Sequence, residues 1–130
     1  MKIIYAIVRI ITALSLLTTF TISSAFAQVM TDTFISLQLV HVGNTFQISA
    51  KIFNNSHGDI HFGPCALGVK INNAKILPRV CHHILITLHP GGGHILITAP
   101  LKAIRSGPTL AHLTFTPYDT SGDVGFKIYS

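Results

Sequence analysis

Cys81-His82-His83-Ile84-Leu85-Ile86-Thr87-Leu88-His89-Pro90-Gly91-Gly92-Gly93-His94-Ile95-Leu96-Ile97-Thr98 is the stretch on which the reading of the fold turns. The letters H-I-L-I-T stand at 83–87 and again at 94–98, on either side of a Pro-Gly-Gly-Gly run. Two β-rich runs flanking such a turn predict a β-hairpin. With His89–Gly92 as the loop, Leu88 faces Gly93 and Thr87 faces His94. One side of the ribbon is then Ile84, Ile86, Leu88, Ile95 and Ile97, wholly apolar, and the other is mixed. A one-residue slip mixes both sides, and the need to bury one side selects the four-residue loop.

Outward from this ribbon, the chain alternates. Thr45–Phe53 places Phe46, Ile48, Ala50 and Ile52 on one side and Thr45, Gln47, Ser49 and Lys51 on the other, a period of two that a helix would scramble. Asn54-Asn55-Ser56-His57-Gly58-Asp59 is turn chemistry throughout. A strand begins near Ile60, is interrupted at Gly63-Pro64, and resumes with Cys65, Leu67, Val69 and Ile71 inward. Ala111, Leu113 and Phe115 form another inward row, as do Val124, Phe126 and Ile128. Ile35–Leu39 reads as a half-buried first strand, and Leu101–Arg105 as one helical turn or a bend. Seven or eight short strands with Gly/Asn/Pro turns predict an all-β, antiparallel two-sheet sandwich.

The first 27 residues read as a cleavable signal peptide: Lys2 and Arg9, an apolar run from Ile10 to Phe20, and an Ala25-Phe26-Ala27 cleavage pattern. That run is shorter than the roughly 20 residues a spanning helix needs, so no stable membrane span is expected in the mature chain. Residues 28–130 are expected to form one domain, periplasmic or secreted. The whole chain carries a formal charge of +5. In the mature part the cations are scattered and form no phosphate-tracking stripe, which argues against a nucleic-acid partner. Cys65 and Cys81 are the only two cysteines, and an oxidising compartment pairs them as a disulfide.

The residues Gly43–Ser56, G-N-T-F-Q-I-S-A-K-I-F-N-N-S, followed later by Leu88-His89-Pro90-Gly91-Gly92, resemble bacterial immunoglobulin-like modules of the cell-adhesion-related kind. Such modules have a strand running into an Asn-rich turn, then a Leu-x-Pro-Gly turn between two later strands. The resemblance implies an immunoglobulin-like sandwich with a binding role and no shared catalytic residues.

Histidine is the candidate for chemistry, with eight in the chain. His57-Gly58-Asp59-Ile60-His61 has the form H-x-D-x-H, and in an extended strand these three ligand-type groups share one side. Imidazole and carboxylate suit zinc or copper. The ends of the row lie roughly 13 Å apart if fully extended, so one ion requires a bend at Gly58. His83 and His94 are expected on the mixed side of the hairpin, His41 and His112 on strand surfaces. Enzyme signatures are missing: there is no G-x-S-x-G elbow, no phosphate-cradling glycine loop after a strand, and no close carboxylate pair among four aspartates. The Asn54-Asn55-Ser56 sequon is better read as a turn.

The leading expectation is an exported, non-enzymatic interaction module. It would recognise a protein or a surface glycan through loop ends or a sheet edge. Asn54, Asn55, His57, Asp59, His89, Gly91 and Gly92 are the candidate loop residues, with no cofactor. The competing expectation is a periplasmic zinc or copper binder using His57, Asp59 and His61.

Overall fold

The computed structural model describes residues 28–116 and 118–130, so the expected signal peptide lies outside the described residues. All regular structure among the described residues is strand. The strands are β1 (Gln28–Ile35), β2 (Val40–His41), β3 (Thr45–Phe46), β4 (Ile48–Asn54), β5 (Ile60–Phe62) and β6 (Leu67–Ile71). They continue with β7 (Ala74–Ile76), β8 (Ile86–Leu88), β9 (Gly93–Ile97), β10 (Leu101–Ala103), β11 (Gly107–Phe115) and β12 (Thr120–Tyr129).

Two layers enclose the core. In one, β4 lies between β1 and β9, while β10 lies between β3 and β7. In the other the order is β2-β12-β11-β6, antiparallel except where β2 runs parallel to β12. The small β5–β8 sheet completes the structure, and Tyr118 joins it to this second layer by accepting from the His61 N–H. Phe46, Ile48, Ala50 and Ile52 are all buried, as are Ala111, Leu113, Phe115 and Ile128. Edge-to-face pairs of Phe46 with Phe126 and of Phe62 with Phe115 fill the interior. The alternation in Thr45–Phe53 thus places its four apolar side chains as expected, and the fold is an all-β sandwich.

The expected hairpin does not form. β8 pairs with β5 and β9 with β4, so the Pro-Gly-Gly-Gly turn carries the chain from one sheet to another. Leu96 and Thr98 are buried, whereas Ile95 and Ile97 are exposed, as are Ile84 and Leu85 before β8. Of the apolar row assigned to the ribbon, Leu88 is buried and Ile86 packs partly against the core. The two runs do not set each other's register, because each pairs with a different strand.

The first strand and the Leu101–Arg105 segment also differ from expectation. The first strand is Gln28–Ile35, and Ser36–Leu39 is a bend with Leu37 and Leu39 exposed. Its pairing with β4 slips by one residue between Thr31 and Phe34, around Asp32 at φ 50°, and the slip hides the alternation. Leu101–Ala103 is a strand rather than a helical turn, with Leu101 and Ala103 buried. Ile97 pairs with Ser49 and Leu101 with Phe46, so four steps on one strand match three on the other. That extra residue restores the inward parity of Leu101 and Ala103. Thr98 holds the irregularity: its N–H donates to the Ile48 carbonyl, its Oγ1 accepts the Ile48 N–H, and its carbonyl accepts from Gln47 Nε2.

Candidate functional site

Asn54 ends β4 fully buried and organises one end of the sandwich. Its Nδ2 donates to the carbonyls of Gly58 (2.9 Å) and Leu88 (2.8 Å), and its Oδ1 accepts from the Ser56 N–H and hydroxyl. Its backbone N–H donates to the Gly92 carbonyl, and its own carbonyl accepts from the Gly91 N–H. Asn54 is therefore a structural hub, not an exposed contact residue. A glycan on this amide would displace both Nδ2 hydrogen bonds, the one to Leu88 buried and the one to Gly58 partly so. Gly91, at φ 81°, adopts the left-handed conformation that favours glycine.

The same bonds bring the 54–59 loop and the 89–92 turn together as one surface. His89 Nδ1 donates to Asp59 Oδ1 at 2.8 Å. His61 Nδ1 shares a hydrogen bond with Thr87 Oγ1 at 2.9 Å. Asn55 and His57 are exposed. Asp59 and His61 thus have separate partners while His57 is exposed, and among the described residues no three His, Cys or Asp side chains gather as a metal site. The His89–Asp59 pair is exposed, and such a pair contributes about 0–1 kcal/mol. On the far sheet His112 Nδ1 pairs with Asp123 Oδ1.

Cys65 and Cys81 form the expected disulfide, with Cα atoms 5.9 Å apart. It holds the stretch between β7 and β8 against the start of β6. An open groove of about 490 Å³ lies beside it, lined by Pro64, Ala66, Ile84, Leu85 and Thr116 among others. Val80, Ile84 and Leu85 are 84%, 61% and 70% exposed.

The outer side of the β1-β4-β9 sheet is the larger feature. Register sets three rows across the three strands: Val29, Phe53 and Gly93; Thr31, Lys51 and Ile95; Phe34, Ser49 and Ile97. Phe34 and Ile95 are just over half exposed, with Val29 and Ile97 less so. Lys51 occupies the centre of this apolar face. Its stem lies across Gly93, where an added Cβ would fall 2.5 Å from Lys51 Cε and 3.5 Å from Nζ. A side chain at 93 would have to push the lysine stem aside, and the ammonium lies over β9 at Gly93.

The side of β9 away from β4 is an open edge. The Thr98 N–H reaches the Ile48 carbonyl, and the Asn54 N–H reaches Gly92. Even-numbered residues of β9 therefore turn their backbone groups to β4, and Gly93, Ile95 and Ile97 turn theirs away. Among the described residues no strand pairs along this side of β9. β7 runs beside β10 only; after the Leu77 N–H donates to the Pro100 carbonyl the chain departs. One side chain returns: Arg79 Nη1 donates to the Ile97 carbonyl at 2.7 Å. Burial lowers the Arg79 pKa from its usual value, and an arginine stays charged at neutral pH.

Recognition through loop ends or a sheet edge is expected from the sequence, but the residues it singles out are in the loops and not on β9. The apolar row expected of the hairpin puts Ile95 and Ile97 inside, whereas both are exposed; the outward position of Lys51 in the alternation of Thr45–Phe53 is the usable signal. No protein-family model matches the chain, and a search of curated proteins finds no match. Among the described residues no helix is long and apolar enough to cross a membrane.

Proposed function

We propose that the chain is an exported, non-enzymatic interaction module, an immunoglobulin-like sandwich that holds a protein partner along β9. The observation that carries this reading is the open β9 edge, whose own Ile95 and Ile97 are exposed, on a sheet face that also shows Val29 and Phe34 on β1. Isolated exposed apolar residues need no explanation, but neighbouring exposed isoleucines on a strand with unpaired backbone groups make a place for another chain. An added strand gains main-chain hydrogen bonds, and alternate side-chain contacts select its sequence. The apolar rows favour a protein over a surface glycan, whose hydroxyls need polar partners. Export is supported by the leader-like sequence of residues 1–27 and by the Cys65–Cys81 disulfide, a bond of oxidising compartments.

The test immobilises the protein beside its Ile95→Asp/Ile97→Asp variant and an Ile84→Asp/Leu85→Asp control, each checked for an unchanged melting temperature. A cell-envelope protein retained by the parent and the control, and lost by the β9 variant, supports the reading. Retention by all three removes it. The N-terminus of the protein recovered from cells, expected at Gln28, tests export separately.

A further inference from the structure

β9 carries a cation at each end of its open edge. At the Gly93 end the Lys51 ammonium lies across the strand, and at the Ile97 end the Arg79 guanidinium sits on the outward carbonyl. Between them Ile95 is exposed and apolar. Gly93 and Ile97 are four residues apart, roughly 13 Å in an extended strand. Among the described residues neither cation has a carboxylate within salt-bridge distance, the two ion pairs being His89–Asp59 and His112–Asp123.

Resting on the edge reading above, we propose that the partner segment is an extended strand of pattern Asp/Glu-x-apolar-x-Asp/Glu. It adds to β9 with its apolar side chain against Ile95 and its carboxylates on Lys51 and Arg79. Side chains at i, i+2 and i+4 of a strand share one side, so the pattern matches the cation–apolar–cation order of the edge. Arg79 holds the position that a partner's N–H would take on the Ile97 carbonyl. When that N–H arrives, the displaced guanidinium has a carboxylate to receive it, a pairing its planar fork favours.

A second copy of this chain fits poorly as the occupant. Packing the outer sheet faces of two copies together would set one Lys51 against another in a drying interface. Only Asp119 and Asp123 stand four residues apart, with Ser121 in the apolar position and Asp123 already paired with His112. The face is also small: three strands at about 4.8 Å and three rows at about 6.6 Å give roughly 300 Å², whereas a stable interface takes about 800 Å² from each partner.

The probe is a fluorescein-labelled Thr-Glu-Thr-Ile-Thr-Glu-Thr peptide, read by anisotropy against the same peptide with both Glu replaced by Gln. The Glu peptide is expected to bind about tenfold tighter at low salt, with the gap closing as salt rises. Lys51→Gln and Arg79→Gln should each narrow the gap severalfold; Lys51→Gln leaves the Gln peptide's affinity unchanged, and Arg79→Gln, which frees the Ile97 carbonyl, does not lower it. Equal binding of the two peptides overturns the acidic pattern and leaves the edge reading standing. Binding of neither up to millimolar concentration overturns both. Undiminished binding of a Glu peptide N-methylated on alternate backbone nitrogens overturns strand addition, and this arm needs no protein variant. A concentration-dependent dimer in sedimentation that excludes the peptide makes a second copy the occupant and overturns the proposal.

Discussion

His-Ile-Leu-Ile-Thr occurs twice in this chain and has two structures. In the first copy, 83–87, Ile84 and Leu85 stand out from an unpaired stretch and Thr87 lies on the surface of β8. In the second, 94–98, Leu96 is 3% exposed and Thr98 is fully buried. Leu85 and Leu96 hold the same place in the same five letters, one outside and one inside. What separates them is what each copy meets: the second has β4 along its length, and the first is held by the disulfide beside a short β5. Strand propensity is a preference for a half-covered pleated surface, and the partner decides which half is covered.

The largest expected effect sharpens this contrast directly. Leu96→Ala should destabilise by about 2–5 kcal/mol, as buried Leu truncations do, and Leu85→Ala by less than about 0.5 kcal/mol. Urea titrations of the two variants measure it; equal losses would mean that the copies are equally packed. Next comes the tether of the first copy. Replacing both cysteines by serine should cost about 3 kcal/mol, the loop-entropy value for a closed loop of about 15 residues. Thermal unfolding with and without reductant gives the same quantity without mutation.

A smaller effect separates the two threonines. Thr98→Val leaves the buried Ile48 N–H without its acceptor and should cost about 1–3 kcal/mol. Thr87→Val breaks an exposed bond with His61 and should cost less than about 0.5 kcal/mol. The finest test lies within the second copy, by amide hydrogen exchange. The Leu96 amide, turned to β4, should be protected, while its neighbour at Ile95, turned to the open edge, should exchange quickly. Equal protection would mean that the edge is covered in solution.

Legibility in the sequence followed locality. The inward rows of Phe46–Ile52, Ala111–Phe115 and Val124–Ile128 were readable because strict alternation over many residues has no other economical explanation. The disulfide was readable because two cysteines allow one internal pairing. The hairpin misled because the repeat suggested that its halves face each other, and pairing between distant segments leaves no local mark. The first strand and β10 were hidden by one-residue slips that break the alternation at Asp32 and after Thr98. At the candidate site, the loop named from turn chemistry is real, but its central asparagine is spent on holding the turn. The β9 edge was illegible for a plain reason: no sequence pattern says which strand lacks a neighbour.

The additional residue between Ile97 and Leu101 makes this corner behave unlike a loop under insertion or deletion. Removing Ala99 would act as a frameshift of faces, sending Leu101 and Ala103 into water and drawing the Lys102 ammonium into the oil of the interior. Shortening of that kind, harmless in most surface turns, would here abolish the anchorage of β7 and with it the origin of the arginine that reaches back to Ile97.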